Sequence, residues 1–221
     1  MNGTDCSAAH RPVVVIMGRW PAEGRCKRRL SHGVGARRAA AIQQRLSHHS
    51  LAVASALAQT GHVHLRVALS GCGSKAARRW LGRRAGTPTL QGAGGLGERM
   101  RRQLLQAQRR HRGSAILLIG SDLPGLEGRD LMAALDALQH HPLVLGPAAD
   151  GGYWLLGLQT RLLQPVVSWP FSAMPWGSER VLAITRQRAR AHGLDPWLLP
   201  TRNDLDRIDD LSPWLASGVH G

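Results

Sequence analysis

Cysteine is scarce in this chain: only Cys6, Cys26 and Cys72 occur, odd in number and far apart. No C-x-x-C pair exists among them, so neither a disulfide framework nor a thiolate zinc site organises the fold. Aromatic residues make up only 4% of the 221 residues; seven are tryptophan, with one tyrosine and one phenylalanine. The core must therefore be built mostly from Leu, Val, Ile and Ala. Long apolar runs are also missing. The longest, Val13–Met17 and Leu51–Ala58 (broken by Ser55), fall well short of the roughly 20 residues that span a bilayer. The opening MNGTDCSAAHRP lacks the apolar segment of a signal peptide. The expected location is the cytoplasm, with no membrane span.

Lysine is nearly absent as well. Only Lys27 and Lys75 are lysines among the 29 basic residues, although the formal net charge is +15. That balance invites a nucleic-acid reading, since phosphate neutralisation needs clustered cations. Against it stand the Arg bias and basic runs without interleaved aromatics on which bases could stack. A solvated cationic surface that favours anionic ligands in general is the better account, with no specific nucleic-acid partner expected.

What is present is an alternation of short apolar runs and long amphipathic stretches. Strands are expected at Val13–Met17, His62–Leu69, Thr87–Gln91, Ala115–Ile119, Leu143–Leu145, Tyr153–Leu158 and Trp197–Leu199. Helices are expected from about Gly35 to Gln59, at Ser74–Arg83, Leu96–His111, Glu127–His140 and Ser178–His192, and after Asp209. Such an order indicates a mainly parallel sheet covered on both faces, with ligands beyond the carboxyl ends of the strands. Residues 1–11 are expected to form a disordered extension and 12–217 a single domain. With 43% hydrophobic residues the chain is long enough to bury one large core.

Three loops follow such strands. Gly18–Leu30 leaves a buried strand and feeds a helix, and it carries Arg19, Lys27 and Arg29 as anion donors. It is not a P-loop, because the G-x-x-x-x-G-K-[ST] spacing is missing. Gly120-Ser121-Asp122-Leu123-Pro124 puts a carboxylate just past the most apolar strand, a natural place for Mg²⁺ or Mn²⁺ on a diphosphate. Asp122 lies too far before the next helix to cap it directly. Gly146–Tyr153 brings two glycines beside Asp150, although Asp-Gly is also common turn chemistry. Gly92–Gly97 matches G-x-G-x-x-G, but it falls mid-chain after a weak strand and reads as a glycine-rich helix start. His62 and His64 lack a third ligand at sensible spacing, and no G-x-S-x-G elbow or Cys–His pair is present.

Taken together the motifs resemble the radical-SAM/selenodomain-associated transferases, glycosyltransferase-A-type members of the nucleotide-diphospho-sugar transferase superfamily. Pro21, Gly24, Lys27, Arg29 and Leu30 fill that family's first motif; Gln91, Gly94, Leu96, Gly97, Arg99 and Met100 fill the second. Gly120, Ser121, Asp122 and Pro124 form the third, and Pro147, Ala148, Asp150, Gly151, Gly152, Tyr153, Leu155 and Gly157 the fourth. Asp204, Asp206, Asp210 and Leu211 form the last, so the resemblance runs from Val13 to Leu211. Three positions depart from the pattern: Arg19 stands where Lys is usual, Arg28 replaces Thr, and Gly95 replaces an Asp.

The resemblance implies a Rossmann-like, GT-A-type three-layer α/β sandwich and a metal-dependent transferase using a nucleotide-diphosphate sugar. Nucleotidyl transfer from a nucleoside triphosphate to a phosphorylated acceptor, and nucleotide binding without turnover, stand as alternatives. Substrate contacts are expected from Arg19, Pro21, Gly24, Lys27, Arg29, Gln91, Gly94, Gly97, Arg99, Ser121, Gly151, Gly152 and Tyr153. Asp122 would hold Mg²⁺ or Mn²⁺ with Asp206 as second ligand. Lys27 would neutralise charge on the leaving phosphate, and Asp150 would act as base or sugar anchor. The partners are a nucleotide sugar or nucleoside triphosphate and a small-molecule acceptor.

Overall fold

The computed structural model describes residues 11–82, 88–206 and 208–211. The expected extension up to residue 10, the start of the Thr87 strand and, beyond Leu211, the helix expected after Asp209 lie outside the described residues. Seven strands form one sheet: β1 (Val13–Arg19), β2 (His64–Ser70), β3 (Thr89–Leu90), β4 (Ile116–Gly120), β5 (Leu143–Pro147), β6 (Tyr153–Leu158) and β7 (Trp197–Leu198). Their spatial order is β3-β2-β1-β4-β6-β5-β7. All neighbours pair in parallel except β6, which runs antiparallel to both β4 and β5. This is the mainly parallel α/β sandwich that the alternation of elements implies.

The helices are α1 (Arg28–Val34), α2 (Ala36–Gln59), α3 (Ser74–Leu81), α4 (Leu96–Arg110), α5 (Gly128–His140) and α6 (Val181–Ala191). Alternate strand residues serve opposite layers. Val14, Ile16, Leu117 and Ile119 pack with Leu51 and Ala54 of α2 and with Leu131 and Ala134 of α5. Val13, Val15, Ile116 and Leu118 pack with Met100 and Leu104 of α4 and Ala189 of α6. Runs such as Val13-Val14-Val15-Ile16 must therefore be apolar throughout, because both faces are covered. Among the described residues no helix is long and apolar enough to cross a membrane.

Two boundaries differ from the periodicity. Helix α1 begins at Arg28, inside the stretch expected as loop up to Leu30, and Gly35, at φ 84°, separates it from α2. Only glycine adopts that conformation without steric cost. The helix expected from Ser178 starts at Val181, where the Leu182 N–H donates to the Gly151 carbonyl. A third, smaller cluster of Leu30, Ala39, Leu46 and Leu205 fastens the C-terminal segment over α1 and α2.

Candidate active site

After β1 the chain crosses through α2 to β2 and on to β3, whereas β4 lies on the other side of β1. The crossover direction reverses between β1 and β4, so the loops beyond Arg19 and Gly120 splay apart. A cavity of about 530 Å³ opens there. Its residues come from the β1–α1 loop, the β4–α5 loop, the β5–β6 turn, the α4 start and the segment before α6.

Four carboxylates, Asp122, Asp150, Asp204 and Asp206, line this cavity. Asp122 follows β4 directly, and its side chain is 46% exposed. One oxygen receives the Lys27 ammonium at 3.2 Å, and the other accepts from Gln43 Nε2 at 3.3 Å. Gln43, buried on α2, also donates to the Ser121 hydroxyl. Asp204 lines the same cavity. Burial first, then the neighbouring Asp150 and to a lesser degree Asp122, hold its carboxyl above the usual range, opposed by Lys27. Asp150 accepts the Gly152 N–H at 2.8 Å, so the expected turn and a cavity-lining carboxylate coexist at one residue.

The cations are arranged less simply than the motif implies. Lys27 is not an open phosphate finger: its side chain is 3% exposed, and its ammonium donates to the Leu205 carbonyl as well as to Asp122. The backbone there is left-handed, with φ 45° at a non-glycine residue. Arg29 is exposed and pairs with Asp206 at 3.0 Å. Asp206 lines the cavity with its carboxylate already held by that guanidinium. Arg19 and Arg99 stand at the β1 and α4 side. Burial, and then Arg19 and Arg102, push the Arg99 guanidinium below its usual range. Cations crowded in this way mark a place for an anion.

Gln91 acts as a brace. Its side chain is buried, donates to the Gly18 and Ala68 carbonyls and accepts from Arg99 at 3.1 Å. It thereby fixes both the end of β1 and the Arg99 side chain. Gly94, at φ 101°, lines a second recess of about 390 Å³ with Arg19, Arg25 and Arg99. Gly97 provides close approach, because a side chain there would run into the Phe171 carbonyl and Trp176. Pro21, Gly24 and Gly151 shape turns and do not line either cavity, with Gly24 at φ 69° and Gly151 at φ 85°. Glu98 accepts the Gly95 N–H at 2.7 Å and so caps α4.

Sequence reasoning passed over Asp204 as a site residue, along with Gln43 and Trp176. The D-L-D spacing of Asp204, Leu205 and Asp206 was the available signal, with the apolar residue buried and its flanking acids both at the cavity. Two buried polar groups of cavity-lining residues, the Tyr153 hydroxyl and the Trp154 indole N–H, have no hydrogen-bond partner among the described residues. Cys26 and Cys72 are free, and burial raises both thiols. Among the described residues no group of three or more His, Cys, Asp or Glu forms a ready-made metal cage.

A family model described as "Uncharacterized protein conserved in bacteria (DUF2064)" matches residues 53–178, more than half of the chain. The chain belongs to this family. The matched span runs from α2 through β6 to Ser178 and includes Asp122 and Asp150. A candidate nucleotide-diphospho-sugar transferase from Desulfovibrio desulfuricans G20 superposes with a TM-score of 0.84 at 26% identity. That match covers 96% of this chain and 89% of the other. A 3-phospho-D-glycerate guanylyltransferase from Phenylobacterium zucineum (strain HLK1) is 37% identical over 99 residues. The stretch is 43% of this chain and 41% of the relative, so the chain matches about two fifths of that protein's length. Rv0371c from Mycobacterium tuberculosis H37Rv, crystallised with manganese, shares the fold at a TM-score of 0.53 and 17% identity, with 94% and 99% of the two chains covered. This DUF2064 member thus has the fold of the nucleotide-diphospho-sugar transferases.

Proposed function

We propose that the protein is a metal-dependent transferase that takes a nucleotide-diphosphate sugar as donor and passes the sugar to an acceptor hydroxyl. One observation carries this reading: four carboxylates, Asp122, Asp150, Asp204 and Asp206, share one switch-point cavity with Arg19, Lys27, Arg28, Arg29 and Arg99. Acids alone would suit a bare cation and bases alone a bare anion, whereas both together suit a diphosphate bound with a divalent cation. The fold-level likeness to a candidate nucleotide-diphospho-sugar transferase supports it. The finer placement, among the radical-SAM/selenodomain-associated transferases, rests on the motifs from Pro21 to Leu211.

The residues fit Mg²⁺ or Mn²⁺. Magnesium is usually held by one or two carboxylates plus substrate phosphates rather than by an all-protein cage. Asp122, half exposed, and Asp204, whose carboxyl is raised first by burial and then by Asp150 beside it, are the ligands we assign. Asp206, the second ligand implied by the motif, instead steers Arg29. When bound, the metal would supply charge neutralisation on the leaving diphosphate. Arg29, Arg19 and Arg99 grip the phosphates. Lys27 orients Asp122 and holds the terminal segment in place. Asp150 accepts the acceptor's O–H proton as its oxygen bonds to the anomeric carbon. The bond from that carbon to the β-phosphate oxygen breaks, and nucleoside diphosphate leaves.

Nucleotidyl transfer is the second reading, favoured by the 99-residue likeness to a guanylyltransferase. Incubation with nucleotide sugars on one side and nucleoside triphosphates on the other, each with Mg²⁺ or Mn²⁺, separates them. Free nucleoside diphosphate is the expected product; pyrophosphate would replace the first reading with the second. Binding of nucleotides without product under every pairing would leave a non-catalytic nucleotide-binding protein.

A further inference from the structure

Resting on the transferase reading above, we infer that the acceptor is an uncharged hydroxyl compound with a flat apolar body, seated against Tyr153, Trp176, Leu96, Met100 and Val181. Charge is unevenly distributed around the cavity. Lys27, Arg28 and Arg29 stand on the α1 side and Arg19 at the end of β1. Arg99 is the one cation that α4 adds to the described lining, and its donors are held by Gln91 Oε1 and the Gly95 carbonyl. The part built from the start of β6, α4 and the segment leading into α6 has no other lysine, arginine or histidine among its described lining residues. A phosphate or carboxylate on the acceptor would need charge-assisted donors there, and none is supplied. It would also face Asp150, whose carboxylate has no ion pair among the described residues and accepts only the Gly152 N–H.

The same part is aromatic. Tyr153 and Trp176 meet edge to face with ring centroids 6.2 Å apart. Both belong, with Leu96, to the partly buried fringe of the apolar layer around Met100 and Phe171. Trp176 sits where it does because Gly97 has no side chain, since a Cβ there would approach its indole nitrogen to 2.9 Å. Rings in this arrangement offer large flat apolar area with little rotamer freedom to lose. The Tyr153 hydroxyl is buried without a partner among the described residues. That hydroxyl has no accessible surface and is not offered to the cavity, whereas the exposed Asp150 carboxylate accepts from an acceptor hydroxyl that brings no charge. A flat body against Trp176 and Tyr153, with its hydroxyl toward Asp150, satisfies these features together.

The test uses the full chain with Mg²⁺ and whichever of ADP, GDP, UDP or CDP binds it. 4-Nitrobenzyl alcohol serves as the neutral flat probe and 3-phospho-D-glycerate as the anionic one, each titrated by calorimetry and tryptophan fluorescence. The neutral probe is expected to bind and quench fluorescence, with 3-phospho-D-glycerate at least tenfold weaker. Trp176→Ala should weaken the neutral probe at least tenfold while diphosphate affinity stays within twofold. Tyr153→Phe, which keeps the ring and removes only the inaccessible hydroxyl, should leave the neutral probe's affinity within twofold. Tighter binding of 3-phospho-D-glycerate, or neutral-probe affinity unchanged in Trp176→Ala, overturns the acceptor class while leaving diphosphate binding intact. Failure of every nucleoside diphosphate to bind the wild-type chain removes the transferase reading itself, and this inference with it.

Discussion

Replacing Lys27 with Met removes one buried ammonium and keeps most of the apolar stem. The ammonium has two partners, the Asp122 carboxylate at 3.2 Å and the Leu205 carbonyl. Hydrogen bonds to charged groups contribute about 1.5–3 kcal/mol each, but the two losses are not equal. Asp122 is 46% exposed, so water replaces the lysine and that share drops to the level of a surface pair, below about 1 kcal/mol. Leu205 is fully buried, so its carbonyl stays dry and unpaired at a cost of about 1–3 kcal/mol. Removing the ammonium also removes its own desolvation cost, which works in the opposite direction. The net loss should be about 1–3 kcal/mol, a fall in Tm of about 2–12 °C for a chain of this size. Diphosphate affinity should drop about ten- to a hundredfold as Asp122 and the terminal segment lose their anchor. Arg25→Ala is the control: it too removes one positive charge, but Arg25 is exposed, and its stability should stay within about 0.5 kcal/mol of wild type. Thermal melts by circular dichroism, with calorimetry for the diphosphate at constant ionic strength, measure both variants. If Lys27→Met matched Arg25→Ala in Tm and affinity, the Lys27 contacts would carry neither stability nor binding.

Other perturbations follow from the same geometry. Asp204→Asn should be at least as stable as wild type at neutral pH, since a carboxyl with a raised folded pKa loses stability as pH climbs above its unfolded value of 3.8; it should also lose metal-dependent stabilisation by diphosphate, and thermal melts across pH with and without Mg²⁺ check both. His64 and His111 stack with centroids 4.3 Å apart, and burial holds both below the usual range, helped by Arg11 for the first and by His64 and nearby arginines for the second. The unfolded chain then binds more protons, so stability should fall as pH drops through 6.5, and His111→Gln should flatten that slope in the same melts. Gly97→Ala drives a Cβ against the Phe171 carbonyl and Trp176, and should cost about 1–3 kcal/mol in a denaturant titration.

The sequence by itself determined the layered architecture and pointed to three of the four carboxylates that line the cavity, Asp122, Asp150 and Asp206. Runs such as Val13–Met17 and Ala115–Ile119 have no polar face, which suits only strands covered on both sides, and acids just past such strands reach the ligand crevice. Local periodicity carries no information on which strands pair. Only the tertiary structure inserted β6 antiparallel between β4 and β5, so that Tyr153 begins beside the end of β4 and faces the cavity. The fate of the charged residues was equally invisible, because a side chain's partner depends on folding distance rather than spacing. Lys27 and Asp122 lie 95 positions apart, yet burial of Leu205 between α1 and α2 draws the terminal segment over both and brings Asp204 to the cavity. Arg29 and Asp206, each expected to act on the substrate or metal, are brought within 3.0 Å of one another by the same docking.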